Sequence, residues 1–187
     1  MAENRNLLLK ASNSVLLLVD IQERFRPVVA EMEEVIRRSA VLLRAALRLE
    51  VPVLVSEQYP KALGETVTEL RQWMTRSQAH FDKLCFSATD CLPWMDALHS
   101  TGRKQALLCG VEAHVCVLQT ALHLLSEGYS VFMAVDAVSS RKSLDKGVAL
   151  RRLEKHGVQM VTTEMAVFEW LRKAGTAEFK ELQALVK

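Results

Sequence analysis

Residues 104–137, KQALLCGVEAHVCVLQTALHLLSEGYSVFMAVDA, hold two short apolar runs on either side of a segment with helical period. The first run, KQALLCG, leads through a glycine into a helix expected over about 114–127, which Gly128 can end in a left-handed cap. The second, SVFMAVDA, follows at once. Neither run alternates apolar with polar, as a strand with one wet face would, so both are expected to be covered on two sides. The same alternation extends in both directions. Toward the N-terminus, SVLLLVD precedes a helix over 28–49, VPVLVSE precedes one over 65–75, and HFDKLCFS precedes one over 91–100. Toward the C-terminus, a helix over 143–156 leads to VQMVTT and then to the helical EMAVFEWLRKAG and AEFKELQALVK. Six such strands separated by helices imply a three-layer α/β/α sandwich around a six-stranded, mostly parallel, Rossmann-like sheet.

With 187 residues, half of them apolar, the chain is long enough to bury a sizeable core as one domain, 1–187, with 1–13 as a short N-terminal arm. Net charge is +2 and the lysines and arginines are dispersed, so no basic stripe suggests a nucleic-acid partner. The run Val15 to Val19 is too short to span a bilayer, and MAENRNLLLKASN lacks the features of a signal peptide, so the expectation is a cytoplasmic protein without a membrane partner. Cys85, Cys91, Cys109 and Cys116 have neither zinc-site spacing nor the density of a disulfide scaffold and read as reduced thiols. GVEAHVCV has neither a dinucleotide-loop nor a phosphate-loop pattern, and the five histidines are scattered, so neither a cofactor nor a protein-bound metal is expected.

In parallel sheets, ligands bind beyond the carboxyl ends of the strands. The residues with first claim on chemistry are therefore Asp20, Glu57, Lys83, the loop 110–116 and Asp136. Asp20 suits a general base, a metal ligand or the cap of the next turn; DIQERF offers no second acid two residues on, which argues against a phosphatase with paired aspartates. Lys83 lies in an expected strand, where its ammonium either marks an edge or needs a partner. Cys116 is expected on the first turn of a helix, where the helix dipole and free amides lower a thiol pKa. A space-filling core cysteine is the alternative, and Cys85, Cys91 and Cys109 keep that reading. His114, two residues from Cys116, points to another side and suits a loop or ligand-edge role.

VDIQERF, FDKLCFSA, LLCGVEAHVCVLQTA and VFMAVDAVSSR together resemble the isochorismatase-like cysteine hydrolases, which include nicotinamidases and N-carbamoylsarcosine amidases. VPVLVSEQYPKALGETVTEL and EAHVCV look closest to the small isochorismatase domain-containing proteins. The resemblance implies a catalytic triad of Asp20, Lys83 and Cys116, with Gln22 ordering the site. It also implies a cis peptide between Val111 and Glu112, an oxyanion hole built from the amides of Glu112 and Cys116, and a homo-oligomer. Nicotinamidases carry an aspartate and several histidines after the second strand, where this chain has Glu57, Gln58 and Tyr59, so their metal does not transfer. Isochorismate cleavage does not require the cysteine, so its retention points to acyl transfer at an amide-type carbonyl of a small molecule. Selectivity is expected from Glu57, Tyr59 and His114 and their loops. A silent binding module, a vinyl-ether hydrolase and a thiol redox sensor are the competing readings, the last weakened because Cys109 is a poor resolving thiol.

Overall fold

The structure is a computed structural model and describes residues 7–74 and 79–186. Its strands are β1 (Ser14–Val19), β2 (Val53–Gln58), β3 (Ala79–Lys83), β4 (Gln105–Val111), β5 (Ser130–Ser139) and β6 (Gln159–Val161). They form one sheet in the order β3-β2-β1-β4-β5-β6, and every neighbouring pair is parallel. The helices are α1 (Met32–Arg48), the single turns α2 (Pro60–Leu63) and α3 (Thr68–Arg71), α4 (Leu92–Ser100), α5 (Leu118–Ser126), α6 (Ser143–Lys155), α7 (Thr163–Leu171) and α8 (Ala177–Val186).

The continuous apolar strands divide their side chains between two cores, as the period of two requires. On β1, Leu16 and Leu18 join the core under α1, α7 and α8, whereas Val15, Leu17 and Val19 join the core under α4 and α5. α1 supplies Val35, Ile36, Leu42, Leu43 and Ala46 to the first core at helical spacing. Each such leucine contributes about 1.5–3 kcal/mol on burial, so the sheet is held from both faces.

The strand order reverses between β1 and β4, which opens a crevice beyond their carboxyl ends. Gly110 makes that junction possible. Its φ is +124°, and a Cβ there would lie 2.0 Å from the Val19 carbonyl oxygen.

Several elements differ from the sequence expectation. The helix expected over 65–75 is reduced to α3, because the backbone at Thr66 bridges Gln22 and donates to the Glu57 carboxylate, which holds it extended. Its expected last residue, Thr75, lies outside the described residues. β3 stops at Lys83 instead of running through CFS, because the carbonyls of Cys85 and Phe86 turn inward to accept from the Lys83 ammonium. The described part of the N-terminal arm is tied down. Leu9 is fully buried, its amide donates to Glu169, and Gln105 bonds both the Lys10 amide and the Leu8 carbonyl. Among the described residues, no helix is long and apolar enough to cross a membrane.

Candidate active site

Asp20 follows β1 with a φ of +53°, a left-handed conformation uncommon outside glycine, and its amide donates to the Ser56 carbonyl at 3.0 Å. This bend leaves the side chain fully buried between strands. Ser56 Oγ donates to Asp20 Oδ1 and Lys83 Nζ to Oδ2, each at 2.7 Å. The Lys83 ammonium also donates to Gln58 Oε1 at 2.7 Å, to the Phe86 carbonyl at 3.1 Å and to the Cys85 carbonyl at 3.3 Å. A buried cation is tolerable only with such partners, and here it has an anion and three neutral oxygens. β3 is an edge strand, so the edge reading of Lys83 holds as well; the internal pairing is what decides its chemistry.

Cys116 lies in a π-helical turn, Ala113–Val117, that runs directly into α5. Its thiol donates to Gln58 Oε1, with Sγ 3.9 Å from that oxygen, and it lies close enough to Asp20 and Lys83 to feel both charges. The residue is 5% exposed. Burial, aided by the Asp20 charge and opposed by Lys83, pushes the thiol up to about 12. Loss of water and the Asp20 charge together outweigh the Lys83 cation at this thiol. Burial also pushes the Asp20 carboxyl up from its ordinary value, against the lowering effects of Lys83, Ser56 and the thiol. The three groups balance electrically as a carboxylate, an ammonium and a neutral thiol. One proton moved from sulfur to Asp20 leaves that balance intact, because the anion stays beside Lys83.

Around this centre, Gln22 is fully buried and clamps the end of β2. Its Oε1 accepts from the Gln58 amide at 2.8 Å, and its Nε2 donates to the carbonyls of Gln58 at 3.0 Å and Gly64 at 2.6 Å. The Val111–Glu112 peptide is cis. Glu112 is buried, and its Oε2 accepts from the backbone amide and Nε of Arg141 at 2.9 and 3.0 Å, which ties the loop 110–116 to the segment after β5.

Other expected site residues take different places. Glu57 alternates away from Ser56 and Gln58 and accepts from the amide and hydroxyl of Thr66, both at 2.6 Å. It shapes the loop after β2 and is not joined to the Asp20–Lys83–Cys116 group. Tyr59, half-exposed, starts α2 with its amide donating to the Lys83 carbonyl at 2.9 Å. With Pro60, Lys61, Asp82, Lys83 and Leu84 it lines a cleft of about 230 Å³ beside β3. His114 Nδ1 pairs with Ser140 Oγ at 3.0 Å. Asp136 lies within β5 and not beyond its end, where it accepts from the amide and hydroxyl of Thr163 at the start of α7 and faces Arg38 of α1 at 3.5 Å.

Ser56 and Gln58 were not singled out by the sequence reading, although they touch the charged pair directly. Their one signal was spacing: two residues apart at the end of β2, they share a face, and Gln58 is in register with Lys83. Among the described residues, no three His, Cys, Asp or Glu side chains gather as a metal site.

Residues 14–165 match the Isochorismatase domain. Isochorismatase domain-containing protein 2A of Mus musculus is 40% identical over 178 residues, which cover 94% of this chain and 83% of that protein. A solved structure of the MAR1 ribonuclease from Caenorhabditis elegans superposes with a TM-score of 0.90 at 37% identity, covering 96% of this chain and 92% of that one. An octameric hydrolase of unknown specificity from Escherichia coli, the YcaC gene product, gives a TM-score of 0.90 at 23% identity over 98% and 92% of the two chains, a likeness of fold. On the domain match and the relatives' identity over nearly the whole chain, this protein belongs to the isochorismatase family.

Proposed function

We propose that the protein is a cysteine hydrolase that cleaves an amide-type C–N bond of a small molecule through a thioester on Cys116. The observation that carries this reading is the Asp20–Lys83 pair, 2.7 Å apart with both side chains free of solvent, joined to the Cys116 thiol through Gln58 Oε1, which accepts from Lys83 Nζ at 2.7 Å and from Sγ at 3.9 Å. Asp20 takes the thiol proton as sulfur attacks the carbonyl carbon. The backbone amides of Glu112 and Cys116 receive the oxyanion, which makes them the oxyanion hole of this reading. As the C–N bond breaks, Asp20 passes the proton to the leaving nitrogen. Water then gives a proton to Asp20 and attacks the thioester, and the proton returns to sulfur as the acid leaves. Lys83 faces the negative charge while it rests on Asp20 or on sulfur; at the tetrahedral stage the charge is on the oxygen held by the two amides.

The metal of nicotinamidases does not fit these residues. Glu57 is committed to Thr66, and Gln58 and Tyr59 bring no imidazole, so no step runs through a metal ion. Exposed apolar side chains at Leu84, Phe86, Leu92 and Leu144, with the octameric assembly of the Escherichia coli hydrolase, support a homo-oligomer. Four free thiols suit a reducing, cytoplasmic setting.

The test is a panel of small primary and N-carbamoyl amides, vinyl ethers and single-stranded RNA, incubated with wild type and Cys116→Ala. Amine release by wild type and none by the variant supports the reading. Cleavage of a vinyl ether or of RNA that survives in Cys116→Ala overturns it, and no turnover of any class places the silent binding module ahead.

A further inference from the structure

Gln58 ends β2 opposite Lys83, and its carboxamide has one sense in the site. Nε2 donates to the Leu84 carbonyl at 3.0 Å, so Oε1 is the atom that faces inward. There it accepts from Lys83 Nζ at 2.7 Å and lies 3.9 Å from Cys116 Sγ. The backbone of Gln58 is held separately, through its amide and carbonyl, by the side chain of Gln22. A new side chain at position 58 therefore leaves that clamp in place.

We propose that Gln58 is a positioning residue of the hydrolytic site: a neutral acceptor that fixes the Lys83 ammonium beside both Asp20 and Cys116 without neutralising it. The inference rests on the reading of Cys116 as nucleophile. Its logic is charge conservation. Proton transfer from sulfur to Asp20 moves one negative charge from carboxylate to thiolate, and one cation must serve both places. A second carboxylate at position 58 would compensate Lys83 permanently and repel the thiolate. No acceptor at position 58 would leave the ammonium with Asp20 and the carbonyls of Cys85 and Phe86, one neutral oxygen fewer on the cation, which favours thiolate. The charges that act on the thiol are Asp20, from the end of β1, and Lys83, from the end of β3; those on its own turn and beyond are Glu112, paired to Arg141, and His114, paired to Ser140. Gln58 touches the cation of this set, so its chemistry is felt at sulfur.

The experiment measures alkylation of Cys116 in the full chain by iodoacetamide, an uncharged probe, at pH 9 with peptide mapping. Only thiolate reacts, so at fixed pH the rate follows the thiolate fraction. Gln58→Glu is expected to slow Cys116 by about tenfold or more, one unit of pKa, and Gln58→Met to accelerate it. A purely structural role would move both variants the same way or neither, and either result overturns the proposal. Far-UV circular dichroism checks the fold; if Gln58→Glu does not fold, an unchanged or slower rate in Gln58→Met overturns it alone. Failure of the nucleophile reading is separate, since it is read from turnover in Cys116→Ala and not from labelling.

Discussion

Lys83 Nζ donates to Asp20 Oδ2 at 2.7 Å, joining the end of the edge strand β3 to the end of β1 two strands away, and neither side chain is reached by solvent. An ion pair so placed is poor evidence of stability in itself, because desolvation of both groups offsets their attraction. It leaves each partner costly to bury alone.

Lys83→Met strands the Asp20 carboxylate in a dry site with the Ser56 hydroxyl as its remaining side-chain donor. The expected outcome is a loss of about 3–5 kcal/mol, partly recovered at low pH as Asp20 becomes neutral. Urea denaturation at pH 7 and pH 5 measures it. Equal losses at both pH values would show that Asp20 does not keep its charge in the variant.

The thiol of Cys116, raised from 9.0 to about 12, should react slowly in the resting protein. At pH 8 a small neutral alkylating agent is expected to label the half-buried Cys85 and Cys91 ahead of Cys116, whose own rate should rise about tenfold per pH unit toward pH 12. Cys109, also near 12 and wholly buried, should stay unlabelled while the fold holds. Peptide mapping across pH 7–11 decides it, and a Cys116 rate that levels off below pH 9 would contradict a neutral resting thiol.

The same shift has a stability consequence of definite sign. A pKa raised by folding means that the folded chain holds the proton more tightly, so the contribution is complete below pH 9 and is lost as pH rises toward 12. The stability difference between wild type and Cys116→Ala should therefore drift in favour of the variant over that window. Paired urea midpoints at pH 8 and pH 11 test it, since the shared titrations of other groups cancel.

Gly110→Ala should be among the most damaging single-methyl changes in the protein. The added carbon would sit 2.0 Å from a backbone oxygen of β1, an atom that cannot rotate away, at a φ of +124°. A loss of roughly 3 kcal/mol or more is expected. A thermal unfolding midpoint within a few degrees of wild type would show that β1 and β4 can separate at their carboxyl ends.

Turnover is expected to survive exhaustive chelation. Glu57, which stands in the segment where nicotinamidases carry their aspartate and histidines, is held by two bonds from Thr66. Activity lost with a chelator and restored by a divalent ion would require a site outside these residues.

The α/β class was legible in the sequence, and so were Asp20, Lys83 and the loop holding Cys116 as candidates beside Glu57 and Asp136; the grouping of the three came from the family resemblance. Period-two and helical patterns are local, and in a parallel sheet each residue following an apolar run arrives at the same edge. The register that puts Val19 beside Ser56 and Gln58 beside Lys83 is not local, so the two neutral residues in contact with the buried pair were passed over. The early end of β3 and the shortness of α3 have the same origin, because the Lys83 ammonium and the Glu57 carboxylate recruit backbone groups that secondary structure would otherwise use. Chain order could place a cysteine at the start of a helical segment and so favour thiolate on that count. Tertiary packing acts the other way: it removes water from the thiol and sets the Asp20 charge near the sulfur, and both raise its pKa against the Lys83 cation.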